Sequence, residues 1–140
     1  MRLLLVRHGA TANNSEARFT GQLDAPLSAL GEQQVQALGR RLAATPLAAV
    51  VCSDLLRARA TAGAIATLHQ PEPLPVAEDP DLREIAMGVW EGQRFSDVAA
   101  RDTDLVEAWR SDPEQVAPSG TPSSCVSGVT TSSTSPRQPC

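Results

Sequence analysis

The chain has 140 residues, 41% of them hydrophobic, and a formal net charge of −4 at pH 7. This length suits one domain, and the acid excess excludes the broad basic face of a nucleic-acid-binding protein, although all twelve basic residues are arginine. The N-terminal apolar run of four residues is too short for a secretion signal or a membrane span. Three cysteines show neither metal-ligand nor disulfide spacing. Together these features predict a cytoplasmic protein without a metal site.

The first predicted element is a strand over residues 3–6, because an all-apolar run of this kind is typical of a central parallel strand buried on both faces. Arg7, His8 and Gly9 follow where that strand ends. In an open α/β sheet, ligands bind beyond the carboxyl ends of the strands. A basic side chain and an imidazole at this place indicate a phosphate-handling site. The alternative is a histidine that only caps a carbonyl.

A helix, a second strand and a second helix come next. Ser28 is the predicted N-cap of a helix that runs to about Ala43, and Pro46 ends it. Residues 47–52 form an apolar run that predicts a second buried strand, and Ser53 is the predicted N-cap of the helix after it. This order of strands and helices predicts an α/β fold.

The remaining chain divides into short elements and a tail. We predict a short edge strand over 74–77, an irregular apolar segment over 82–90, and short helices over 95–101 and 104–110. Of the 26 residues from 115 to 140, seventeen are Ser, Thr, Pro or Gly and one is charged. A segment of that composition cannot bury enough apolar surface to order itself. The sequence therefore predicts a domain over residues 1–114 and a disordered tail over 115–140.

A second arginine is expected near His8. Arg57 lies in the first turn of the second helix, just beyond the second strand. Neighbouring parallel strands set their carboxyl ends side by side, so Arg7, His8 and Arg57 should converge on one anion. The alternative for Arg57 is a solvated side chain paired with Asp54.

Four ordered blocks of the sequence resemble the histidine phosphatase superfamily, which contains the cofactor-dependent phosphoglycerate mutases. The blocks are LLVRHGAT at 4–11 with Asn14, GQLDAPLS at 21–28, SDLLRA at 53–58, and LRE at 82–84 with WEG at 90–92. Together they span about residues 2–92. The resemblance implies a three-layer α/β/α fold with a mainly parallel sheet, like that of phosphoglycerate mutase.

The resemblance also implies how the reaction proceeds. His8 would attack phosphorus to give a phosphohistidine that water later hydrolyses, while Arg7 and Arg57 hold the phosphoryl oxygens. Glu84 would protonate the leaving oxygen and then activate water. The alternative for Glu84 is a solvated carboxylate beside Arg83.

The same resemblance supplies the residues that contact the substrate. Asn14 and the stretch Thr20, Gly21 and Gln22 would bind the phosphate or the substrate, with no metal or cofactor required. The alternative for Asn14 is a side chain that caps a loop turn.

The sequence also departs from the family pattern. The family has a second active-site histidine, followed by glycine, on a later strand, whereas the other histidine here is His69, near the end of the second helix. The dipole at a helix C-terminus favours histidine, so we expect a structural role for His69. The chain also stops before the family's later strands. This pattern predicts a truncated or frame-shifted product with an incomplete sheet. Its unpaired apolar edge implies marginal stability, self-association or a partner that supplies the missing part.

These observations predict a phosphomonoester hydrolase that acts on a small phosphorylated metabolite through a phosphohistidine and is impaired in this chain. The alternatives are phosphotransfer of the phosphoglycerate mutase type and a non-catalytic phosphate-binding remnant. The expected partner is a small phosphorylated substrate, and neither a nucleic acid nor a membrane is expected.

Overall fold

Two long helices and a pair of parallel strands form the centre of the structure. A computed structural model describes residues 2–111. Its elements in chain order are α1 (Ala12–Ser15), α2 (Ala29–Leu42), β1 (Val50–Cys52), α3 (Leu56–Leu68), β2 (Val76–Glu78), 3-10 helices at Pro80–Leu82 and Gly88–Trp90, α4 (Phe95–Arg101) and α5 (Thr103–Ser111). The α/β prediction is confirmed. The tail predicted over 115–140 lies outside the described residues.

Within residues 2–111 the sheet is smaller than the sequence predicts. β1 and β2 pair in parallel, with Val50 opposite Val76 and Cys52 opposite Glu78, and α3 packs against both strands. The second strand begins at Val50 instead of residue 47, and the edge strand is Val76–Glu78 instead of 74–77. Burial is incomplete because Val51 and β2 are exposed while Cys52 is buried.

The buried strand predicted over residues 3–6 is wrong for the described structure. These residues form neither helix nor strand, and Leu3 and Leu5 are 71% and 89% exposed. Leu4 and Val6 are also exposed, but less so, at 42% and 43%. A strand exists only through hydrogen bonds to a neighbour, and within residues 2–111 the sheet contains β1 and β2 alone. The alternating exposure is the pattern of a segment with one side turned toward the protein.

Helix α2 begins as predicted, and helix α3 does not. The Gly31 N–H donates to the Ser28 hydroxyl at 3.1 Å, which confirms Ser28 as the N-cap. Helix α3 begins at Leu56 without a side-chain cap from its N-cap residue Leu55, so the prediction of a Ser53 cap is wrong. The carboxylate of Asp24, from a distant loop, instead accepts the first helical N–H, that of Leu56, at 2.7 Å.

The two long helices pack closely on each other and on the segment that carries the site. A Cβ added at Gly31 would lie 2.0 Å from the Ala10 carbonyl oxygen, so only glycine permits this approach. Val35 on α2 and Ile65 on α3 are buried. Helix α2 thereby holds the backbone that follows His8.

A second core joins the last two helices to the loops around the site. Its buried members are Phe19, Met87, Trp90, Val98 and Val106. The predicted short helices are confirmed as α4 and α5, and the irregular segment over 82–90 contains only the single-turn 3-10 helix at Gly88–Trp90 and the end of another. Between residues 2 and 111, no helix has the length and apolar composition that a membrane span requires.

Candidate active site

The backbone around His8 is fixed by hydrogen bonds to both long helices. The Gly9 N–H donates to the Thr61 hydroxyl of α3 at 3.2 Å, and the Ala10 N–H donates to the Gln34 side chain of α2 at 2.9 Å. The Ser28 hydroxyl donates to the Ala10 carbonyl at 3.1 Å. His8 therefore stands on a rigid support, although no strand precedes it.

His8 lines a cavity of about 220 Å³ that collects most of the predicted site residues. Six of its lining residues are polar or charged: Arg7, His8, Asn14, Arg18, Thr20 and Glu84. The other three are Phe19, Met87 and Trp109. All of the polar or charged residues except Arg18 were predicted from the sequence as site residues. The sequence analysis did not indicate Arg18 or the apolar wall of Phe19, Met87 and Trp109.

The ring of His8 makes one short hydrogen bond. Its Nδ1 lies 2.7 Å from the Gly9 carbonyl oxygen. A carbonyl only accepts, so this geometry assigns a proton to Nδ1, and in the neutral ring the lone pair then lies on Nε2. His8 is half-buried, so part of the ring remains accessible.

Arg57 is almost fully buried and does not line the cavity. It is 1% exposed, and its guanidinium donates to the carbonyl oxygens of Leu23 and Gly21 at 2.9 and 2.7 Å. One of its nitrogens also lies 3.2 Å from a carboxylate oxygen of Glu84, which does line the cavity. Arg57 thus reaches the cavity only through its contact with Glu84, and its convergence with His8 on one anion stays a prediction.

The alternative proposed for Arg57, a solvated side chain paired with Asp54, is wrong. Asp54 pairs with Arg83 and not with Arg57, and the Arg83 Nε–H donates to it at 2.6 Å. That hydrogen bond holds the pKa of Asp54 below its usual value. Glu84 is half exposed, as its alternative supposes, and it also pairs with Arg57.

The loop over residues 20–22 is shaped by a carboxylate that the sequence did not single out. Glu91 accepts the Gln22 N–H at 2.8 Å and the Met87 N–H at 3.1 Å. Gly21 has a φ of +49°, and a Cβ there would lie 2.4 Å from Glu91 Oε1. Thr20 lines the cavity, while Gly21 and Gln22 do not. The Gln22 side chain instead donates to the Glu84 carbonyl at 3.2 Å.

Asn14 and Arg18 occupy opposite ends of a short turn beside the cavity. The Asn14 side chain accepts the N–H and the hydroxyl of Thr11, both at 2.9 Å, which completes a capping box on α1. Asn14 thus caps a turn and also lines the cavity. Arg18 donates to Glu16 at 2.7 Å and to the Gly92 carbonyl at 2.8 Å, and the first of these bonds lowers the pKa of Glu16. Only the position of Arg18 beside Phe19 and Thr20 could have indicated it.

His69 lies away from this cavity, as expected for a structural residue. It is the C-cap of α3, 8% exposed, with its two ring nitrogens 3.1 and 3.0 Å from the carbonyl oxygens of Glu72 and Thr45. No three His, Cys, Asp or Glu side chains of residues 2–111 cluster as a metal site would require.

Comparison with known proteins agrees with this arrangement. Residues 3–130 match the family model of the histidine phosphatase superfamily, branch 1. The chain is 36% identical over 118 residues to the adenosylcobalamin/alpha-ribazole phosphatase of Escherichia coli, covering 84% of this chain and 57% of that protein. It is 38% identical over 110 residues to a protein of Enterobacter named as a probable phosphoglycerate mutase, covering 79% of this chain and 48% of that protein.

The solved structures lead to the same family. The structure of a mycobacterial glucosyl-3-phosphoglycerate phosphatase superimposes with a TM-score of 0.70 at 38% identity, over 79% of this chain and 51% of that one. The chain spans about half the length of the curated relatives it matches. The family model matches most of the chain, the RHG sequence lies at a cavity, and the fold is shared with a member of the family. This chain therefore belongs to branch 1 of the histidine phosphatase superfamily.

Proposed function

We propose that His8 is the phosphoryl-accepting nucleophile of a phosphomonoester hydrolase that acts on small phosphorylated metabolites. The observation that carries this proposal is the bond between His8 Nδ1 and the Gly9 carbonyl. It holds the imidazole in the tautomer whose Nε2 lone pair is free, which a nucleophile requires. A histidine that only capped a carbonyl would not also need to line a cavity.

The charges around the cavity suit a phosphoryl group. Arg7 and Arg18 lie on its walls, and the planar guanidinium of arginine matches the geometry of a phosphoryl group. In phosphoryl transfer, negative charge is spread over the equatorial oxygens, and fixed positive groups beside them lower the barrier. Asn14 and Thr20 add an amide and a hydroxyl to the same walls.

We propose a reaction in two steps. In the first, the Nε2–P bond forms as the bond from phosphorus to the leaving oxygen breaks, and that oxygen takes a proton from Glu84. In the second, water gives a proton back to Glu84 as its oxygen attacks phosphorus, the Nε2–P bond breaks, and inorganic phosphate leaves. Glu84 is half exposed, so the product and water can reach it.

Arg57 supports this chemistry indirectly in the proposed account. It holds the carbonyls of Gly21 and Leu23 and at the same time contacts Glu84. One buried guanidinium thus sets both the loop that carries Thr20 and the position of the acid. This makes Arg57 a positioning residue, with Glu84 and His8 as the groups that would meet the substrate.

The proposal is tested by hydrolysis of an aryl phosphate without added metal. We expect turnover by the chain to be lost in His8→Ala and retained in His69→Ala, because His69 lies outside the cavity. Equal turnover by the His8→Ala variant and the unaltered chain would remove His8 from the nucleophile role.

A second candidate is phosphate binding without rapid turnover, which is favoured because no second histidine among residues 2–111 lines the cavity. The chain has two histidines, and His69 is committed to two backbone carbonyls. The family's second active-site histidine would supply one preorganised transition-state contact, and loss of one such contact costs on the order of a hundred- to a thousandfold in rate. If the 140-residue chain binds phosphate but releases phenol more slowly than a full-length relative by that factor, the second candidate describes it. Phosphotransfer between metabolites would instead be recognised by label moving from a phosphorylated donor to an acceptor other than water.

A further inference from the structure

Every aromatic side chain of the protein belongs to one cluster. The sequence contains two Phe, two Trp and no Tyr. The ring centroid of Phe19 lies 5.3 Å from that of Trp90, 5.4 Å from that of Phe95 and 6.1 Å from that of Trp109. The buried hydrophobic residues elsewhere in residues 2–111, such as Val35 and Ile65, are not aromatic. The aromatic side chains are therefore concentrated beside the His8 cavity.

Two of these rings form a wall of that cavity. Phe19 and Trp109 line the cavity together with Met87, and its other lining residues are polar or charged. The volume of about 220 Å³ leaves room for a phosphoryl group and a small leaving group. A space with a cationic side and an aromatic side is complementary to a molecule with an anionic head and a flat apolar body.

We propose that the cavity selects phosphomonoesters whose leaving group is a small planar aromatic ring, held against Phe19, Met87 and Trp109. This inference rests on the proposed function and deepens it by naming the substrate class. Ring-to-ring contacts in T-shaped or offset geometry are favourable beyond simple burial, and thioethers such as Met87 also pack well on rings. A polyol leaving group would have to bury hydroxyls against the same wall, which opposes its binding.

The test uses phosphonates, which carry the same anionic head but cannot be hydrolysed. Binding of phenylphosphonate, 2-hydroxyethylphosphonate and methylphosphonate to the full chain is measured by calorimetry. We expect phenylphosphonate to bind about tenfold more tightly than methylphosphonate, a factor in the range of one aromatic contact plus burial of the ring, and the hydroxyethyl compound to gain nothing.

Variants at the wall separate a binding role from a folding role. Trp109→Leu should abolish the preference for phenylphosphonate and leave the affinity for methylphosphonate unchanged, and Leu105→Ala on the same helix should alter neither. Trp109→Phe keeps a ring, so it should fold like the parent chain and retain most of the preference.

Each other result counts against the inference in a defined way. Equal affinity for phenyl- and methylphosphonate would overturn the aromatic substrate class while leaving the phosphate site intact. A preference that survives Trp109→Leu would overturn the assignment of this wall. If none of the phosphonates binds, the proposed function fails as well.

Discussion

The most informative single substitution is Arg57→Met, because it removes the guanidinium that joins the loop to the acid while keeping an unbranched apolar stem. Arg57 is 1% exposed and makes three hydrogen bonds. The Gly21 carbonyl belongs to a buried residue and loses its partner, at a cost of about 1–3 kcal/mol. The Leu23 carbonyl and Glu84 are more exposed and regain water, so each adds at most about 1 kcal/mol.

The expected loss in the free energy of unfolding is therefore about 1–5 kcal/mol. Urea unfolding followed by tryptophan fluorescence measures it, since Trp90 and Trp109 lie in the core next to this loop. The matched control is Arg59→Met on the same helix. Arg59 is half exposed and pairs with Glu78 at 3.1 Å, so its loss should cost no more than about 1 kcal/mol. Equal effects of the two substitutions would refute the role assigned to Arg57.

Three further predictions concern stability and association. Gly31→Ala should destabilise the fold by about 1–3 kcal/mol because its Cβ meets the Ala10 carbonyl. Gly63→Ala has no atom within 4 Å of its Cβ and should stabilise the fold by about 0.5–1 kcal/mol. Urea unfolding of both variants checks this, and equal free energies of unfolding would contradict it. The hydrogen bond from Arg101, and after it the one from Trp90, lowers the pKa of Asp102 in the folded chain. The Asp102 carboxylate therefore stabilises the fold above its unfolded pKa of about 3.9, and this stabilisation is lost as the pH falls through its lower folded pKa. Asp102→Asn should accordingly be less stable than the parent at pH 6 and approach it below about pH 4, while a difference independent of pH in fluorescence-monitored unfolding would oppose this assignment. The exposed leucines Leu3 and Leu5 should drive self-association at micromolar concentration, and sedimentation should show less of it when both are replaced by lysine; a parent chain that sediments as a monomer throughout would rule this out.

The sequence predicted best what depends on local chemistry. Ser28 caps α2 because a hydroxyl before an apolar periodic stretch suits a helix start, and α4 has the predicted bounds Phe95–Arg101. Arg7 and His8 reach one cavity with Glu84, although these residues lie far apart in the chain. The motif blocks of the family, more than periodicity, indicated that meeting.

What the sequence could not predict depends on partners distant in the chain. Residues 3–6 have the composition of a buried strand, but a strand needs a neighbour, and β1 pairs with β2 alone within the described residues. The cap on α3 comes from Asp24 instead of Ser53. The direction of the Arg57 side chain is set by two carbonyls in another loop, and no spacing in the sequence encodes such contacts.

The central claim is that His8 accepts a phosphoryl group on Nε2. The most direct measurement is peptide mass spectrometry of the chain after mixing with phenyl phosphate and quenching in alkali. We predict a phosphoryl group on His8, none on His69, and none in the His8→Ala variant. Release of phenol with the phosphoryl group found on another residue, or never found on His8 at the shortest mixing times, would contradict the account.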